Sequence, residues 1–248
     1  MKRRLRVGIV GTGFLAETRV RCWRRVHGGD VDLTIAARDP GKATDFAARH
    51  GLANSGSIES VLDDDTIDLV DLCVANRAHR ELCEGAAARG RHVLCTKPLT
   101  AFWGQGLGET ATAEEVAAVD CGTMFERALE DAQAMVAACR SAGVRLFYGE
   151  NWIFAPSIRR AAELAARSSG AVLEMRGWES HSGSHSAYAR DWRHAGGGAL
   201  LRLGSHPIGA MLWLKRLEGK RLRGRPTRPT AVSADVADTT TAATKTPC

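Results

Sequence analysis

The chain has 248 residues, 44% of them hydrophobic, and a formal net charge of +6, which is enough apolar material for one large or two small globular domains. The positive charge is spread over Lys2–Arg6, Arg19–Arg25 and Lys215–Arg228, with no helix-turn-helix, zinc-finger or RNP signature beside it; this argues against nucleic-acid binding and for anionic small ligands. No run of about 18 apolar residues marks a membrane span, and seven cysteines without a C-x-x-C pair or metal-ligand spacing fit free thiols in a reducing cytoplasm.

The start, Met1-Lys2-Arg3-Arg4, is followed only by Leu5–Val10 before a glycine turn, too short a segment for export. Leu5–Val10 (LRVGIV) is a compact apolar run, the pattern of a strand buried on both faces of a parallel sheet. Gly11-Thr12-Gly13 turns the chain into a helix, Phe14–Val26, which Gly28-Gly29 end. A second strand, Val31–Ala37, and a helix, Pro40–His50 closed by Gly51, follow. The alternation continues with a helix near Ser57–Leu62, a strand Leu69–Val74, a helix Ala78–Arg89 and a strand His92–Cys95. Strands separated by single helices predict a doubly wound parallel sheet with right-handed crossovers.

Phe102–Thr123, with Gly104, Gly106 and Gly108, breaks this rhythm and reads as a surface insertion. A helix Met124–Ser141 and a strand Val144–Gly149 complete a Rossmann domain over residues 1–149. Beyond it the texture changes to a helix Pro156–Arg167, a strand Ala171–Glu179, a Ser/His/Gly loop Ser180–Gly198 and a helix Ser205–Leu217. Residues 150–231 are thus expected to form part of a substrate-binding domain. Residues 232–248 lack core-forming side chains and are expected to be disordered.

Three constellations bear chemistry. The first is G-x-G-x-x-A at Gly11, Gly13 and Ala16, between a strand and a helix. Gly11 allows the tight turn, Gly13 lets a diphosphate approach the backbone, and Ala16 lets helix and strand pack closely. Thr12, Phe14 and Leu15 complete this cradle at the helix N-terminus. The second is Ala36-Ala37-Arg38-Asp39-Pro40. Ala37 stands where NAD-selective proteins place an acid, and Arg38 follows it, which suits a 2'-phosphate and NADP. Against this stand an inward-turning Asp39, or Arg38 as a plain solvated charge.

The third runs from Asp71 to His79 and from His92 to Leu99. Here the chain resembles the Gfo/Idh/MocA family of glucose-fructose oxidoreductases and inositol 2-dehydrogenases, whose pattern is P-N-x-x-H followed by G-x-H-V-x-x-E-K-P. Asn76, His79, Gly90, His92, Val93, Lys97 and Pro98 match, while Ala75 replaces Pro and Thr96 replaces Glu. Gly196–His206 matches the family's G-G-G-x-L-x-D-x-G-x-H, with Arg202 in place of Asp. The resemblance implies an α/β Rossmann fold with an α+β substrate domain, incomplete here because family members continue with a large sheet beyond this chain's length. That sheet often mediates oligomerisation, so a homo-oligomer belongs to the same expectation.

The resemblance also implies an NAD(P)-dependent dehydrogenase or reductase acting on a sugar, polyol or sugar acid. Ala75, Asn76, His79, Thr96 and Lys97 would bind the cofactor, with Lys97 beside the nicotinamide. Lys97 would stabilise the developing oxyanion and His206 would exchange the hydroxyl proton. Read alone, Lys97 is a surface lysine after a strand and His206 opens a helix beside Pro207. Arg202 either grips an acidic substrate or marks impaired alcohol chemistry, and the rival to an enzyme is a catalytically silent dinucleotide-binding sensor or partner subunit. Glu150, Trp152, His181 and His185 are further candidates for substrate contact. Glu179, His181 and His185, with Glu150 and His206 as possible partners, also invite a metal, but Gly183 and the serines argue against a helix there, and no metal site is assigned. Trp152 and Trp192 read either as sugar-facing walls or as core.

Overall fold

The computed structural model describes residues 3–26, 30–108, 110–180, 188 and 191–235. The chain divides into two compact units, Met1–Trp103 with Phe125–Gly149, and Gly104–Met124 with Glu150–Cys248.

The first unit is built on six strands, β1 (Leu5–Val10), β2 (Val31–Ala37), β3 (Asn54–Ser57), β4 (Leu69–Leu72), β5 (His92–Thr96) and β6 (Leu146–Gly149). They lie in the order β3-β2-β1-β4-β5-β6, and every pair is parallel. Helices α1 (Phe14–Arg25), α2 (Pro40–His50), α3 (Ile58–Asp63) and α4 (His79–Ala88) connect them, and α6 (Cys121–Ser141) leads into β6; α5 (Ala113–Ala117), which precedes α6 in the chain, belongs to the second unit. This is the doubly wound Rossmann arrangement that the sequence predicts.

Apolar runs suit these strands because both sheet faces are covered. Along β1, Val7 and Ile9 join Val20, Ile35 and Phe46 in one core. Val10 points the other way, toward Leu72, Leu82, Val93 and Met135. Gly8 has no room for a side chain: a Cβ there would lie 2.3 Å from Val61 Cγ1. Gly51, left-handed at φ 58°, closes α2. Strand β3 was not expected, since Asn54-Ser55-Gly56-Ser57 is polar; its register with Thr34–Ala37 of β2 makes it a strand.

The second unit contains α7 (Pro156–Arg167), α8 (Trp192–Ala195), a π-helical turn Leu200–Gly204 and α9 (Ser205–Arg223). The expected strand Ala171–Glu179 is not one: these residues have no ladder partner among the described residues. The backbone groups of Val172 are taken up by α9 instead. Val172 donates its N–H to Glu218 Oε2 at 2.6 Å and accepts from Lys215 Nζ at 3.0 Å. Residues 104–124 are held within this unit. Trp192 packs against Gly104, where a Cβ would lie 3.0 Å from the ring, and the Arg193 guanidinium donates to the Ala111 carbonyl. Most of the expected disordered tail, residues 236–248, lies outside the described residues.

Cys22, Cys73, Cys83, Cys95 and Cys139 are free thiols, and burial pushes those of Cys73 and Cys83 up, keeping them protonated. Among the described residues, no helix is long and apolar enough to cross a membrane.

Candidate functional site

Strand order reverses between β1 and β4, so their C-terminal ends open the crevice where doubly wound sheets bind ligands. Gly11 sits at the end of β1 with φ +115°, and a Cβ there would lie 2.4 Å from the Cys73 carbonyl oxygen. Both its conformation and its neighbour therefore require glycine. Gly13 is different. It is the N-cap of α1 without a side-chain cap, and a Cβ there would meet nothing within 4 Å. Among the described residues nothing crowds Gly13, and the open space there would admit a group approaching the helix N-terminus. Thr12 and Leu15 are half-buried, Phe14 is 73% exposed, and Ala16 is fully buried where α1 crosses the sheet. The uncapped N–H groups and the positive end of the helix dipole suit a diphosphate.

At the end of β2, Ala37 is half-buried and Arg38 exposed. Asp39 is committed elsewhere, because its Oδ1 accepts the Gly41 N–H at 2.9 Å and caps α2. The one side-chain acceptor of this turn is thus spent on the helix.

Across the crevice, Ala75 and Asn76 follow β4. Asn76 is 6% exposed, and its Oδ1 is buried without a hydrogen-bond partner. A buried orphan acceptor is costly unless a ligand donor completes it, and a nicotinamide carboxamide carries such a donor. His79, 1% exposed, places Nδ1 3.0 Å from the Leu99 carbonyl and Nε2 3.2 Å from that of Val74. It joins the turn after β4 to the turn after β5, and burial lowers its pKa despite these carbonyls. Thr96 ends β5, and Lys97 and Pro98 follow it through a cis peptide. These residues fit the nicotinamide half of a dinucleotide as Gly11–Leu15 fit its diphosphate.

Behind them lies Asp71 of β4, fully buried. Trp23 Nε1 donates to its Oδ2 at 2.8 Å, and Arg19 Nε lies 3.5 Å from Oδ1. Burial raises its pKa, opposed by Arg19, Trp23 and Cys73. This cluster was not singled out from sequence; an acid within the apolar run Leu69–Val74 was its one signal.

In the second unit, Glu150, Trp152 and His206 form one group. Glu150 is 3% exposed. Its Oε1 and Oε2 lie 2.8 and 2.9 Å from His206 Nδ1, and Oε1 also accepts the Trp152 N–H at 2.9 Å. The Trp152 ring stacks on the His206 ring, centroids 5.4 Å apart and planes 9° from parallel. Trp152 therefore braces a histidine, and Trp192 braces residues 104–124. The Arg202 guanidinium lies 5.6 Å from the centroid of the Tyr188 ring. His181 and His185 lie outside the described residues. The sequence offers Glu150 and His206 together only as possible partners in a metal site; nothing in it signals the direct pairing of two residues so far apart.

A family model described as "Oxidoreductase family, NAD-binding Rossmann fold" matches residues 5–120. The chain is similar to D-xylose 1-dehydrogenase (NADP(+)) 2 of Haloferax volcanii, 37% identical over 57% of this chain and 36% of the relative. Levoglucosan dehydrogenase of Pseudarthrobacter phenanthrenivorans is 25% identical over 82% of this chain and 49% of the relative. Among solved structures, GenD2 from gentamicin A biosynthesis, in complex with NAD, superposes with a TM-score of 0.65 at 28% identity, over 86% of this chain and 54% of that one. The chain spans about half, or less, of the length of the first curated relatives it matches.

Proposed function

We propose that the protein belongs to the Gfo/Idh/MocA oxidoreductase family, whose model matches residues 5–120, and is an NAD(P)-dependent oxidoreductase acting on a hydroxyl or keto carbon of a sugar, polyol or sugar acid. The observation that carries this reading is the turn after β1, where Gly11 is fixed by its conformation and by Cys73 while Gly13 leaves open space at a helix N-terminus. The sugar dehydrogenases among its relatives support the substrate class.

The nicotinamide, when bound, supplies the acceptor or donor of hydride. The chain's residues do the rest. Gly11–Leu15 hold the diphosphate, and Asn76 Oδ1 accepts from the carboxamide. Ala37 and Arg38 receive a 2'-phosphate, which makes NADP the preferred cofactor. Asp39 does not compete for the ribose because it caps α2. Lys97 stabilises the oxyanion as the hydroxyl loses its proton, and His206 takes that proton. Arg202 favours acidic sugars through its guanidinium.

Fluorescence titration with NADPH and NADH, followed by turnover over a panel of aldoses, polyols and sugar acids, tests this reading. Tight NADPH binding with turnover of at least one member is the expected result; no affinity for either nucleotide overturns it. Arg202, in place of the family's Asp, favours a second reading, a dinucleotide-binding sensor or partner subunit. Binding without turnover across the panel selects that one.

A further inference from the structure

We propose that Glu150 is the positioning residue for His206, holding Nδ1–H toward its carboxylate so that Nε2 is presented as the proton acceptor. The inference rests on the proposed reaction, and it supplies the carboxylate that Arg202 no longer provides at the family's Asp position. A carboxylate oxygen can only accept, and both oxygens of Glu150 lie within 2.9 Å of Nδ1. Nδ1 must then carry a hydrogen, and in the neutral ring the lone pair is left on Nε2.

Three features fix the arrangement. Glu150 is buried and accepts a second hydrogen bond, from the Trp152 N–H, which suits an ionised carboxylate in both directions. Trp152 stacks on one face of the imidazole and restricts its tilt. Gly209, one turn along α9 from His206, makes room for the carboxylate: a Cβ there would lie 3.0 Å from Glu150 Cγ. When the substrate hydroxyl is oxidised, its proton passes to Nε2, and the Glu150 carboxylate counters the imidazolium charge without taking the proton itself.

The test uses the full chain labelled with 15N-histidine, with the His206 signals identified by their loss in His206→Asn. In the unsubstituted protein, the neutral His206 ring should show a protonated Nδ1 and an unprotonated Nε2. Glu150→Gln, whose amide can donate as well as accept, should shift the population toward the Nε2–H form. It should also lower kcat by roughly 100-fold while leaving KM within about threefold. Gly209→Ala, which leaves both partners' own side chains intact but brings a Cβ to 3.0 Å from Glu150 Cγ, should move both readouts the same way by less; it serves should Glu150→Gln fold poorly. Turnover with an unchanged tautomer and unchanged kcat in both variants overturns the inference and leaves the oxidoreductase reading standing. Absence of turnover in the unsubstituted protein removes the reaction and the catalytic role together, while the 15N shifts still report whether the pair fixes the tautomer.

Discussion

A Cβ on Gly11 would come within 2.4 Å of the carbonyl oxygen of Cys73, at a φ of +115°. Gly11→Ala must therefore strain the backbone and push β4 away from β1, at a cost of roughly 2–4 kcal/mol. Gly13→Ala meets no protein atom within 4 Å, so it should leave the melting temperature almost unchanged and yet weaken nucleotide binding by tenfold or more, about 1.4 kcal/mol. Thermal unfolding and calorimetric titration on the two variants check this. Equal effects of both on stability would show that Gly13 has a structural rather than a ligand-facing role.

The proposed preference for NADP rests on the end of β2, where Ala37 is half-buried, Arg38 is exposed and Asp39 caps α2. Arg38→Ala should weaken NADPH by roughly tenfold, the value of one charge-assisted contact of about 1.5 kcal/mol, and leave NADH within twofold. Ala37→Asp should reverse the preference by repelling the phosphate. Fluorescence titration with both nucleotides measures the ratio. A fall in both affinities together would contradict the assignment.

His79 links stability to pH. Its folded pKa is lowered from the usual 6.5, chiefly by burial, so below that value the unfolded chain binds a proton that the folded chain resists. The contribution is fully present above the unfolded pKa and is lost as pH falls toward the folded one, with a slope of up to about 1.4 kcal/mol per pH unit. Denaturant unfolding of the protein and of His79→Gln between about pH 7 and 5 should show a steeper loss in the unsubstituted chain.

Asp71 has the opposite sign. Burial raises its pKa above 3.8, so its protonated form favours folding in acid, and that contribution fades as pH rises through the folded value. The stability of the protein relative to Asp71→Asn should therefore decline from about pH 4 toward neutrality. Asp71→Ala removes the partner of both Trp23 and Arg19 and should cost about 3–5 kcal/mol. Equilibrium unfolding of the two variants separates charge from hydrogen bonding.

The parallel sheet was legible because its strands are buried on both faces, and the runs at Val7–Val10 and Leu69–Leu72 have no other comfortable environment. Asn54–Ser57 was not legible, since its pairing with Thr34–Ala37 is a property of the neighbouring strand. Ala171–Glu179 carries enough apolar residues to read as a strand, yet Lys215 and Glu218 of α9 take up the Val172 backbone groups. Helix α6 begins at Cys121, earlier than its periodicity predicts, where Asp120 Oδ1 accepts the Thr123 N–H at 2.9 Å. In the candidate site, the glycine turn announces itself by composition and position. The Glu150–His206 pair does not, because hydrogen bonds between distant segments leave no local pattern.

The attachment of residues 104–124 to Trp192 and Arg193 governs how the polypeptide can be cut. A fragment stopping at Gly149 would carry that stretch without the indole and guanidinium that secure it, so a contiguous N-terminal piece is not the same object as the compact first unit. Excising 104–124 and closing Trp103 to Phe125 with a short linker is the more faithful dissection, and protease protection of the two fragments would tell them apart.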